Sequence, residues 1–188
     1  MPAHIIFLTE DQKKIALNEA ERRQTYNEKK RLQGRNKAPA FGSSSLTLHQ
    51  VGALGEMAVA VYLNLQEHVF QAQSAVRGSA DLPGDIEVKT RSKHNYDLIV
   101  QKDERPDKKI VLVTVEKETI ILWGWCTAAE AMKQEYWSDP ARGRPAYFMP
   151  KKALHSIETL ELKAEEKENA YDNRNDSDSG FSDIHSGC

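Results

Sequence analysis

One stretch limits what this chain can fold into more than any other. From Val51 to Leu65 nearly every residue is apolar or small, and Glu56 is the only charged one. Val51, Leu54, Ala58, Val61, Tyr62 and Leu65 form one helical stripe, and Met57, Val59 and Leu63 widen it almost all the way round. A helix from Leu48 to Leu65 with that pattern has to be buried among other elements. A carboxylate in such a place is costly without a compensating charge. Gly52 and Gly55 flank Glu56 and let another backbone or a ligand approach closely. Two readings follow: Glu56 pairs with an arginine or sits at an exposed seam, or it serves a metal ion or a metal-bound water. The second is favoured by what lies downstream.

That helix needs a sheet to cover. A first strand is expected around Val69 to Ala72, a second from Ile86 to Lys89 and a third from Tyr96 to Gln101. Ile110 to Val115 and Thr119 to Trp125 are β-rich runs either side of a short charged turn, a hairpin pattern. Ala128 to Gln134 reads as a short helix capped by Thr127, Ala146 to Met149 as a short strand, and Lys151 to Leu162 as a last helix. Upstream, Thr9 and Gln12 form a capping box that opens a helix running to about Leu32. Its apolar residues, Ile15, Leu17, Ala20, Tyr26 and Leu32, are sparse, so it is expected at the surface or against a partner. The fold class is therefore α/β (α+β), a small mixed sheet flanked by helices. The expected divisions are a basic helical extension and linker over 1–40, one domain over 41–162, and an acidic tail over 163–188. The tail is too poor in apolar residues to offset its ordering entropy, and disorder is expected there.

The segment Asp81-Leu82-Pro83-Gly84-Asp85-Ile86-Glu87-Val88-Lys89 carries the chemistry. Alternation along a strand puts Asp85, Glu87 and Lys89 on one face, with Ile86 and Val88 on the other. Pro83-Gly84 is a turn signal that folds Asp81 back towards Glu87. Carboxylates converging on one point call for a cation or a proton between them, and Mg²⁺ is a natural occupant because it takes oxygen ligands. Lys89 stands two residues from Glu87, placed to act on whatever the carboxylates hold. Thr90, Arg91 and Lys93 follow and offer a hydroxyl and cations to a phosphate backbone; for Arg91 and Lys93 a solvated surface is the competing reading.

An acid on a helix, an Asp at a strand end and Glu-x-Lys on the next strand resemble the PD-(D/E)XK nuclease superfamily, here as Glu56, Asp81 and Glu87-Val88-Lys89. The resemblance covers roughly residues 48–125. The stretch Ala80 to Thr90, with Val111-Leu112-Val113, Gly124-Trp125 and Arg144 to Pro150, is further similar to phage-encoded members, as far as about Leu154. The resemblance implies a restriction-endonuclease-like core and metal-dependent phosphodiester hydrolysis. It implies Mg²⁺ (or Mn²⁺) held by Asp81, Glu87 and the Val88 carbonyl, with Glu56 supporting the metal or its water. It also implies that Lys89 orients the nucleophilic water, that the substrate is nucleic acid, most naturally DNA, and that a homodimer or a phage-infected host cell is the setting. Ala80 stands where the superfamily's Pro precedes the first acid, and the short spacing to Glu87 leaves Asp85 as a rival to Asp81.

Other features are weaker. The formal net charge of -2 hides nine Lys/Arg against five Asp/Glu in residues 1–40, and three against nine in 158–188. The basic part of the first helix, including Arg22 and Arg23, is read as a solvated face, a phosphate contact or a dimer surface. His49 and His94 read as surface histidines. Trp123 and Trp125 are expected on one strand face as core packing, whereas Tyr136 and Trp137 are better placed for base stacking. Cys126 reads as a core residue. Two cysteines without framework spacing fit a reducing cytoplasm. No apolar run spans a bilayer, and no signal peptide or membrane partner is expected.

Overall fold

The computed structural model of the protein describes residues 3–30, 45–71, 80–140 and 143–161. Its elements are β1 (His4–Ile6), α1 (Glu10–Lys29), α2 (Ser45–Tyr62), β2 (Ile86–Arg91), β3 (Leu98–Val100), β4 (Lys109–Glu116), β5 (Thr119–Thr127), α3 (Ala128–Ala131), β6 (Trp137–Ser138) and β7 (Ala146–Met149). They build a mixed α+β fold with two small sheets. The larger sheet runs β1-β5-β4-β2, with β2 parallel to β4 and the other neighbours antiparallel; the smaller runs β3-β7-β6. No helix among the described residues is long and apolar enough to cross a membrane. The tail over 163–188 and most of the linker after α1 lie outside the described residues.

The larger sheet separates two apolar clusters. On one face Ile86, Val88, Val111, Val113 and Val115 pack with Ala53, Met57 and Ala60 of α2 and with Ala16 and Ala20 of α1. On the other, Ile110, Leu112 and Cys126 pack with Leu98, Val100 and Met149 of the smaller sheet. β4, buried on both faces, is therefore apolar from Ile110 to Val113, with Thr114 the only hydroxyl in its interior. As expected, α2 is a core helix.

Several sequence expectations are corrected. Within the expected extension, the described residues 3–30 join the fold: β1 pairs with β5, and α1 opens on the anticipated Thr9 capping box and packs along α2. The contact uses the small Ala16 and Ala20, both fully buried, while the bulkier Ile15 and Tyr26 stay exposed. Side-chain size misled there, because alanines let two helices approach closely. Val69 to Gln71 form no strand, following instead a 3-10 turn over Gln66–His68; Ala72 lies outside the described residues. Of the helix expected over Lys151 to Leu162, the described residues 151–161 form no α-helix, and Leu162 lies outside them. The described part makes two 3-10 turns, Lys151–Ala153 and Ile157–Thr159, interrupted where His155 exchanges backbone hydrogen bonds with Trp125.

Trp123 and Trp125 do not share a face. The β4–β5 register shifts between Leu112 and Val113, so β5 carries one extra residue there, and Gly124 takes φ +146. The bulge sends Trp123 to the smaller-sheet side, where its Nε1 donates to Thr114 Oγ1 at 2.8 Å. Trp125 turns to the helix side and donates to Thr159 Oγ1 at 3.1 Å. Core packing holds for both.

Candidate functional site

The Pro83-Gly84 turn is what positions Asp81. Gly84 at φ +80 and Asp85 at φ +58 lie in the left-handed region, and the chain folds back so that the Asp81 and Leu82 amides both donate to Ile86 O. Leu82 makes a single bridge to Ile86, so Asp81 stands at a tight turn and not at the end of a strand. It lies along the edge of β2 that β4 leaves free, and its Oδ2 accepts from the Val88 amide at 2.8 Å. The N–H and C=O of one strand residue point to the same edge, so the Val88 carbonyl is directed to the Asp81 side as well.

Glu87 and Lys89 register beside Ile110 and Leu112 of β4 and so emerge on the smaller-sheet face. Lys89 Nζ lies 2.5 Å from Glu87 Oε1, and the other oxygen, Oε2, accepts from Lys108 Nζ at 3.1 Å. Glu104 completes this network, with its Oε1 3.0 Å from Lys108 and its Oε2 3.6 Å from Lys89. Lys108 is almost wholly buried, at 3% exposure. Burial pushes the Glu87 carboxyl up, but Lys89 and then Lys108 outweigh it and hold it below the ordinary carboxylate range.

Glu56 approaches from α2, buried as expected, and its neutralising partner is Arg23 of α1. The guanidinium forks onto Glu56 with both contacts at 2.7 Å, and its Nε donates to Glu19 Oε1 at 2.7 Å. Arg22 adds a second fork onto Glu19, and Arg23 stacks over Phe70. Of the two readings left open for Glu56, the arginine pair is the one the coordinates contain. Arg23 is correspondingly half-buried, with its guanidinium committed to Glu56 and Glu19.

Asp81 lies between these groups and has no matching partner. Among the described residues its side chain accepts only from Val88. Burial first, then the charges of Glu56 and Glu87, push its carboxyl up to about 7 against the pull of the Val88 amide and Lys89. Three acids from three separate segments thus act on one point. Asp85 is excluded from it. It precedes β2, takes a left-handed conformation that breaks the strand alternation, and pairs with Arg105. Of the two rival first acids, Asp81 is the one at the site.

The residues expected to touch a phosphate backbone do not gather here. Thr90 faces α2 so closely that a Cβ on Gly55 would overlap its side chain, and its buried Oγ1 has no protein partner. Arg91 stacks over Tyr96 at 4.9 Å with its Nε buried and unpartnered. Lys93 pairs with Glu116 at 3.1 Å, beside His94, whose ring contacts Thr114. His49 is half-buried near Arg23 and contacts Asn27. Tyr136 packs on the second cluster and Trp137 against Tyr147, which leaves them little freedom to stack on bases. Cys126 is a core thiol, pushed by burial up to about 12.

Sequence reasoning missed Arg23, Glu104 and Lys108. For Arg23 a signal existed in the Glu19–Arg23 spacing of one helical turn. Nothing in the charged loop from Lys102 to Lys109 singled out Glu104 or Lys108.

Among the described residues no three His, Cys, Asp or Glu side chains are grouped so as to cage a metal ion. A magnesium-type ion asks for less: one or two carboxylates, its remaining places filled by water and substrate oxygens. Asp81, under-compensated and beside Glu87, fits that demand together with the Val88 carbonyl. Glu56, both oxygens forked by Arg23, does not fit as a direct ligand. Compared with known proteins, the chain matches no family model, no curated protein and no solved structure.

Proposed function

We propose that this chain is a metal-dependent nuclease that hydrolyses phosphodiester bonds in DNA, on a restriction-endonuclease-like core. The observation that carries the reading is Asp81: a half-buried carboxylate held along the edge of β2 that β4 leaves free, raised to about 7 by desolvation, Glu56 and Glu87, with Lys89 one strand position from its Val88 anchor. A cation is the remedy such a group calls for.

Asp81, Glu87 and the Val88 carbonyl would hold Mg²⁺ or Mn²⁺, which when bound supplies a water of lowered pKa and stabilises charge on a phosphoryl oxygen. Lys89 donates from its ammonium, orienting the attacking water and meeting the charge that develops on phosphorus-bound oxygens. Glu56 acts on Asp81 through its field from the α2 side, and Arg23 holds it in place while preventing it from draining the site's cation. On this reading a phosphodiester approaches along the edge of β2 that β4 does not cover.

The test is incubation with single-stranded, duplex and branched DNA in Mg²⁺, Mn²⁺ or EDTA. Cleavage is expected with the metals and not with EDTA, and Glu87→Ala or Lys89→Ala should lower it by at least ~100-fold, the scale for losing one transition-state contact. Unchanged cleavage by either variant sinks the reading.

One observation favours a second reading, a non-catalytic nucleic-acid-binding or protein-interaction module on the same scaffold. Glu56 and Glu87 are already neutralised by Arg23, Lys89 and Lys108. This reading predicts salt-dependent DNA binding with no metal-stimulated cleavage of any substrate.

A further inference from the structure

The least expected group near the site is Lys108, an ammonium buried almost completely on Glu87. With Lys89 on Oε1 and Lys108 on Oε2, both oxygens of Glu87 are occupied by cations. If Glu87 is to bind a divalent ion, at least one ammonium has to leave, since two cations on one carboxylate repel a third. Lys108 is only 3% exposed, and an unpaired buried charge is costly. Its backbone is fixed as well: its carbonyl accepts from Ala128 and its amide donates to Arg105 O. Only the end of its side chain can move.

Glu104 is the one further carboxylate within reach of both ammoniums, 3.0 Å from Lys108 and 3.6 Å from Lys89, and it is itself largely buried. The geometry points to Glu104 as a positioning residue that receives Lys108 and Lys89 when they give up Glu87 to a divalent cation. The inference rests on the metal-dependent reading above and deepens it. Glu104 sets how tightly the ion is held. The alternative is that Glu104 merely helps to bury Lys108. The two differ in coupling. A receiving carboxylate makes Glu104→Gln weaken metal binding and Lys108→Met strengthen it, because Lys108 competes for Glu87, and the loss from Glu104→Gln shrinks once Lys108 is gone. A carboxylate that acts only through its field gives the same signs, and an undiminished loss from Glu104→Gln in the Lys108→Met chain overturns the inference.

The experiment is Mn²⁺ binding by the full chain, followed by calorimetry or by the spin signal of the free ion, without nucleic acid. Glu104→Gln is expected to weaken Mn²⁺ affinity by about tenfold, Lys108→Met to strengthen it several-fold, and Glu104→Asp to lie close to the unsubstituted chain. Glu104→Gln leaves Lys108 its Glu87 partner and so keeps the test in hand should Lys108→Met fail to fold. Wild-type affinity in Glu104→Gln overturns the inference alone, as does weaker binding in both variants. No Mn²⁺ binding by the unsubstituted chain, or binding that Glu87→Gln leaves intact, overturns the metal-dependent reading itself, and this inference with it.

Discussion

Replacing Asp81 by Asn should stabilise the protein above neutral pH. A carboxyl at about 7 in the folded chain and near its ordinary 3.8 in the unfolded one binds a proton more tightly when folded. Between those two values the folded state carries the extra proton, so stability falls as pH rises through that window and levels off above it. From 3.8 to about 7, at ~1.36 kcal/mol for each tenfold in proton affinity, the ionised side chain costs the fold about 4 kcal/mol. Asn keeps an oxygen for the Val88 amide but sets an NH₂ where the second carboxyl oxygen stood, and leaving that donor without a partner costs about 1 kcal/mol. In EDTA, urea unfolding at about pH 8 should find Asp81→Asn more stable than the unsubstituted chain by about 2–3 kcal/mol, with most of the gain gone at about pH 4.5. Mn²⁺ at the higher pH should close the gap by stabilising only the chain that keeps Asp81. A variant destabilised equally at both pH values would mean that Asp81 is an ordinary hydrogen-bonding residue, and the argument for a strained carboxylate would fail.

Other outcomes follow from the same geometry. Arg23→Met strips Glu56 of both its contacts and should cost about 3–5 kcal/mol of stability by chemical denaturation, the scale for orphaning a buried ion-pair partner; a loss under ~1 kcal/mol would show that Glu56 finds water or another cation. Gly55→Ala drives a methyl into Thr90 and should lower stability by about 1–3 kcal/mol, with Thr90→Ala in the same chain restoring part of it. Cys126 should resist alkylation in the folded chain and react only at the rate of unfolding; rapid labelling under native conditions would contradict its burial.

The sequence was legible where one residue type decided one outcome. The apolar girth of α2 announced a buried helix, Thr9 announced a capping box and Thr127 an N-cap, and the Pro83-Gly84 turn announced that Asp81 returns to β2. It was opaque where the outcome depended on partners distant in the chain. Arg23 and Glu56 are 33 residues apart, and no local pattern says that α1 lies along α2 closely enough for them to meet. Lys108 and Glu104 looked like solvated loop charges until β4 drew the end of that loop beneath Glu87. Strand alternation failed at Asp85 and at Trp123 for a shared reason: a left-handed residue in one case and a bulge in the other changed the count of two on which alternation relies.

The extra residue in β5 gives the molecule two optical reporters that its sequence spacing would have merged. One indole senses the layer between the sheets, and its near neighbour senses the layer under the helices, though only Gly124 separates them. Variants retaining one or the other would reveal whether the two halves of the interior dissolve together on heating. They would also reveal which half registers a ligand arriving along the open strand edge.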